Sequence, residues 1–132
     1  MYIVEYFNAR IGAQADIIVD VDTDLPNRNS IDITLNSHGR SLLEFLKDNK
    51  LCIINGRLNP KKDNFTLKFL STRGKSVVDY FITCHDNLSY CKSFEVLPTI
   101  DVIDKFGLEQ FIESNSKCPD HSILQLCFFI CK

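Results

Sequence analysis

The chain has 132 residues, 45% of them apolar and 24% charged, with a formal net charge of −2. That is one domain's worth of ordinary globular sequence, and it excludes disordered and collagen-like chains. The longest apolar runs, Ile17-Ile18-Val19 and Leu126 to Cys131, fall far short of a membrane span, so no membrane partner is expected. The start, Met1-Tyr2-Ile3-Val4-Glu5, lacks the basic and apolar regions of a secretory signal, which favours an intracellular setting, cytoplasmic or nuclear. The six cysteines form no Cys-x-x-Cys pair and read as free thiols packed as small hydrophobes.

In chain order, the β-branched and aromatic run 2–7 predicts a strand. The polar stretch after it holds Asp16, Asp20, Asp22 and Asp24 and reads as loop. The Asp20-x-Asp22-x-Asp24 spacing is not a calcium loop, because Leu25 and Ile31 stand where Gly and Glu are required. Apolar residues at Leu42, Leu43, Phe45 and Leu46 predict a helix over 41–50, capped by Asn36 or Ser37. Leu51 to Ile54 predicts a buried strand ending at the turn Asn55-Gly56. Strands are expected over 65–70 and 77–84 and near 93–97. A helix is expected over 104–113, weakened in its first turn by Gly107, and a last strand over 122–131. The order βαβββαβ implies a sheet with helical cover. Between Arg57 and Lys75, six basic residues face one acid, a patch suited either to a phosphate surface or to a solvated hairpin.

Two polar positions stand in apolar surroundings. Strand alternation puts Asp79 on one face with Val77 and Phe81, where an unpaired carboxylate would cost several kcal/mol. Asp120-His121 opens the final strand. A carboxylate on one strand and an imidazole on its neighbour can meet. Such a pair either serves the fold alone or fixes the imidazole's tautomer for work on a phosphate.

Three segments in order resemble motifs of the endonuclease/exonuclease/phosphatase superfamily, whose relatives include apurinic-site endonucleases, pancreatic deoxyribonuclease and the endonuclease domains of LINE-type retrotransposons. Phe7-Asn8-Ala9-Arg10-Ile11-Gly12 is similar to the end of its first block here, Ser76 to Ile82 to its S-x-x-DY strand, and Cys118 to Ile123 to its terminal SDH block. Asn36 to Leu43 and Leu51 to Arg57 resemble the helix and strand between them in retrotransposon-type members. The resemblance implies an α+β chain, residues 1–132, forming the C-terminal half of a DNase-I-like α/β/β/α two-sheet sandwich. It implies Mg²⁺-assisted phosphodiester hydrolysis, with DNA as a possible partner. It assigns Asn8 to water or substrate orientation, Asp79 to orienting His121, His121 to phosphate stabilisation and Asp120 to the metal. Two departures imply that the chain alone is inactive. Tyr6 stands where the family has the water-activating Asp, and the glutamate-bearing first half has no counterpart. The missing half would also leave sheet surface uncovered and favour self-association. The alternative is a non-catalytic module that binds nucleic acid or a partner.

Overall fold

The computed structural model describes residues 1–63, 65–68, 74–111 and 120–129. It is a mixed α+β chain with antiparallel sheets. Strand β1 (Tyr2–Tyr6) pairs with β5 (Asp79–Cys84), which pairs on its other edge with β2 (Leu51–Ile53). β3 (Leu67–Lys68) and β4 (Lys75–Ser76) form a short ladder, and β6 (Cys91–Leu97) and β7 (Ile123–Phe128) form another. Helices α1 (Ser37–Asp48) and α2 (Thr99–Phe106), with three short 3-10 segments, complete the regular elements among the described residues.

The central strand of this sheet, β5, is covered on both faces. Tyr80 and Ile82 of β5 join Leu42, Leu43 and Leu46 of α1 in one apolar cluster. On the other face, Cys52 and Phe81 meet Phe94 and Val96 of β6 and Leu124 and Leu126 of β7 in a second. Strand alternation sends successive residues to these two layers, which is why β5 is apolar at nearly every position.

Several boundaries differ from the sequence expectation. Helix α1 starts at Ser37 rather than 41, because Asn36 caps it, its Oδ1 accepting from the Gly39 amide at 2.7 Å. Lys50 lies beyond its end with φ +52°. The second helix is Thr99–Phe106, not 104–113. Gly107, expected to weaken a first turn, instead ends the helix in the left-handed region at φ +61°, with Leu108 N–H closing onto Ile103 O at 3.0 Å. The strand expected over 77–84 is broken. Val77 N–H donates to Asp32 Oδ2 at 2.9 Å, and the Val78 and Asp79 amides donate to Thr66 Oγ1 at 3.0 Å, so the ladder begins only at Asp79. Val77 consequently packs with Tyr80 and Ile82 under α1, not on the Phe81 face. Residues 69–70 of the strand predicted over 65–70, and 112–113 and 130–131 of the later segments, lie outside the described residues.

One ion pair ties the loop 8–36 to this frame, and a second, within the loop, holds Asp32 where the Val77 amide reaches it. Asp16, read from sequence as a loop residue, is buried. Its Oδ2 accepts from the Ile53 amide at 2.6 Å, and its Oδ1 pairs with Arg57 Nη2 at 2.5 Å. Arg57 also donates to Ile53 O at 2.9 Å and to Pro26 O. It is therefore a core residue and not part of the predicted basic surface. Arg73 lies outside the described residues, and Lys61, Lys62 and Lys75 remain as exposed charges, Lys75 over the Phe65 ring. Arg10 grips buried Asp32 through two bonds of 2.9 and 2.7 Å. Burial alone would push the Asp32 carboxyl up. The Arg10 guanidinium and the Val77 and Thr34 amides overcome it and hold the group below the usual carboxylate range.

Candidate functional site at the Asp79–His121 pair

Asp79 stands at the first position of β5, and its backbone is fixed on both sides. Its amide donates to Thr66 Oγ1, and its carbonyl accepts from Asn55 Nδ2 at 3.1 Å. Asn55 Oδ1 in turn accepts from the Phe81 amide at 2.9 Å. The buried Asn55 side chain thus extends the β2 edge along β5 after the β2 backbone has turned away at Gly56, whose φ is +71°. Glycine is required there, since a Cβ would lie 1.8 Å from Asn29 O.

His121 is brought to Asp79 by the segment before β7. Lys68 N–H donates to Asp120 O at 2.9 Å, Ser122 N–H to Thr66 O at 2.7 Å, and Ser122 Oγ to Phe65 O at 3.0 Å. Thr99 Oγ1 at the start of α2 donates to His121 O. Held in this way, His121 Nδ1 lies 2.9 Å from Asp79 Oδ2 and 3.0 Å from Oδ1. The carboxylate is 15% exposed and the imidazole 46%. The acid is shielded and the ring is presented to solvent. Since Nδ1 faces an acceptor it carries the proton, and Nε2 is the nitrogen left to meet a ligand.

Tyr6 is opposite Asp79 in the β1–β5 register, and its ring stands edge to face with the His121 ring, centroids 5.2 Å apart. Asp79, His121 and Tyr6 therefore form one cluster at the end of the sheet. The other two predicted site residues do not join it by hydrogen bond or ion pair among the described residues. Asn8 is exposed in the left-handed region at φ +49°, and its carbonyl accepts from Asn36 Nδ2 at 3.3 Å. Asp120 is exposed, and its backbone carbonyl is the group that the short sheet uses.

Sequence reasoning missed the residues that hold the pair in place. Thr66 is fully buried and serves two amides and, through its own carbonyl, Ser122. Asn55 was read only as half of a turn. A polar residue directly after a buried apolar strand was the available signal for Asn55, whereas Thr66 carried none. Arg10, within the first motif, is engaged by Asp32. His85 is half-buried against Asp22, and His38 is exposed.

Comparison with known proteins found neither a matching family model nor a matching curated protein. The chemistry of the site is accordingly argued from its geometry. A carboxylate-held imidazolium beside an exposed tyrosine can donate a second hydrogen bond, from Nε2, to an anionic oxygen and pack an aromatic edge against its bearer. Its suitability for a divalent metal is poorer. Both Asp79 oxygens face His121, and among the described residues no group of three or more His, Cys, Asp or Glu is placed to hold a metal ion. Asp120 alone is a thin donor set for Mg²⁺, which takes one or two carboxylates together with substrate phosphate.

Proposed function

We propose that the Asp79–His121 pair is the phosphate-binding half of a phosphodiesterase site of the endonuclease/exonuclease/phosphatase kind, of retrotransposon-like origin, which in this chain alone meets DNA without cleaving it. The observation that carries this reading is the imidazole, 46% exposed, held at 2.9 Å by a carboxylate that is 15% exposed. The helix–sheet–sheet layering built by α1, the β1-β5-β2 sheet and the β6–β7 ladder is consistent with half of a two-sheet sandwich. With both ring nitrogens protonated, His121 donates from Nε2 to a phosphoryl oxygen while its Nδ1–H donates to Asp79, which holds the ring in position, and Tyr6 supports the ring from the side. Mg²⁺ would supply charge neutralisation at the leaving oxygen in a complete site. The residues described do not fit such an ion unaided, so no step is routed through it.

Tyr6 favours the second reading, a module that binds nucleic acid without cleaving it. A phenol stands where hydrolysis would need a carboxylate to activate water. The test is a salt series of fluorescence polarisation with a short DNA duplex, beside plasmid nicking in Mg²⁺. Expected are salt-sensitive binding, no nicking, and at least about a tenfold loss of affinity in His121→Ala, the value of one charge-assisted hydrogen bond. Unchanged affinity in His121→Ala would make the pair purely structural. Nicking that His121→Ala abolishes would overturn the inactivity of the chain.

The proposal extends to self-association through uncovered sheet surface, for which Tyr2, Val4 and Tyr6, exposed on the edge strand β1, are the candidates. Sedimentation should then show a mass that rises with concentration, and a monomer at high concentration would remove this part.

A further inference from the structure

The acidic run that fails as a calcium loop has a different setting in three dimensions. Asp22 and Asp24 rim a cavity of about 540 Å³, together with Asp86 at the start of the 3-10 turn His85–Tyr90. Its remaining lining is largely apolar, namely Val21, Leu25, Pro26, Leu58 and Leu88, with Leu88 buried in the core. Asp22 is braced, its Oδ2 accepting from the Ile18 amide at 2.8 Å and its Oδ1 lying 3.5 Å from His85 Nδ1. The Asp24 and Asp86 carboxylates make no hydrogen bond or ion pair among the described residues, and both are exposed. None of the lining residues belongs to the Asp79–His121 cluster.

Three features choose the occupant. The volume lies within the roughly 300–1,000 Å³ of small-molecule sites. The apolar floor has no use for a bare metal ion, and the carboxylates are not placed as a metal cluster. Three acids around an aliphatic floor complement a flexible chain that alternates methylene segments with ammonium groups. Such a chain buries its stems and leaves its charges at the rim. We propose that this cavity binds an aliphatic polyamine. Its methylenes lie on Leu25, Leu58 and Leu88, and its ammonium groups meet Asp24 and Asp86, with the braced Asp22 adding negative charge beside them.

The experiment is isothermal titration of the full chain with spermidine, using 1,6-hexanediol as a stem without charge and MgCl₂ as charge without a stem. Expected is saturable one-to-one binding of spermidine that neither control reproduces or displaces. The double variant Asp24→Asn/Asp86→Asn, at two exposed positions, should keep its fold by circular dichroism and bind at least about tenfold more weakly. Leu25→Asn should also weaken binding, which pure charge attraction does not predict. His121→Ala should bind spermidine as the parent does, which keeps this outcome separate from that of the phosphate site. Spermidine binding that Mg²⁺ displaces at equal charge, that the double variant leaves intact, or that never saturates would overturn the proposal.

Discussion

Replacing Asp16 with alanine tests the reading that the loop 8–36 is a structural part of the core. The carboxylate serves two groups, the Ile53 amide at 2.6 Å and Arg57 Nη2 at 2.5 Å, and the Arg57 side chain is wholly buried. Alanine leaves an amide without its acceptor and a guanidinium without its counter-charge, and breaking a buried pair in this way costs about 3–5 kcal/mol. A chain of this length has a total stability of about 7–20 kcal/mol, so the loss is a large share of the whole. At a urea m-value of about 2 kcal/mol/M, the midpoint should fall by about 1.5–2.5 M. The double variant Asp16→Leu/Arg57→Met, which removes both charges and keeps apolar volume, should lose less than Asp16→Ala alone. A midpoint shift below about 0.5 M for Asp16→Ala, or strictly additive losses in the double variant, would refute the buried pair.

Three further outcomes follow from other contacts. Because the Asp32 carboxyl is held below its ordinary value, it contributes stability above the unfolded pKa, and that contribution is lost as pH falls through the folded one. Urea midpoints measured from pH 7 to pH 2 should therefore fall less steeply in Asp32→Asn than in the parent, and parallel curves would contradict this. Burial pushes the Cys52 thiol up to about 12, while Cys127 is exposed. Iodoacetamide at pH 8 should label Cys127 and leave Cys52 unmodified until urea is added, as mapped by peptide mass spectrometry. Gly39→Ala would gain about 1 kcal/mol of helix propensity, but its Cβ would fall 2.0 Å from Arg10 O. A net loss of about 1–3 kcal/mol is expected, and a more stable variant would show that this approach is not tight.

The elements legible in the sequence are those governed by neighbours along the chain. The Asn36 cap lies three residues from the amide it serves, and the apolar stripe of α1 repeats within a few turns. The pairing of Asp79 with His121 was legible for another reason. A carboxylate in an apolar strand demands a partner, and few candidates stood at a strand entry. Other features depended on distant chain. Arg57 looked like one more surface cation until Asp16, 41 residues away, met it in the core. The strand expected over 77–84 was interrupted by Asp32 and Thr66, which take its amides from outside any local pattern. Gly107 was legible as a glycine but not as an end, because the preceding helix buries only Ile103 and so has little periodicity to measure.

Tyr80 offers a way to watch these connections form. The chain has no tryptophan, and of its four tyrosines Tyr2, Tyr6 and Tyr90 are exposed. The buried Tyr80 hydroxyl sits 2.9 Å from Ala9 O and 2.7 Å from Val77 O, bridging the stretch after β1 to the one before β5. Its ultraviolet difference spectrum is therefore an unlabelled optical gauge of the junction on which the Asp79–His121 geometry rests. Loss of that signal ahead of the far-ultraviolet change would time the junction's release separately from the melting of the helices.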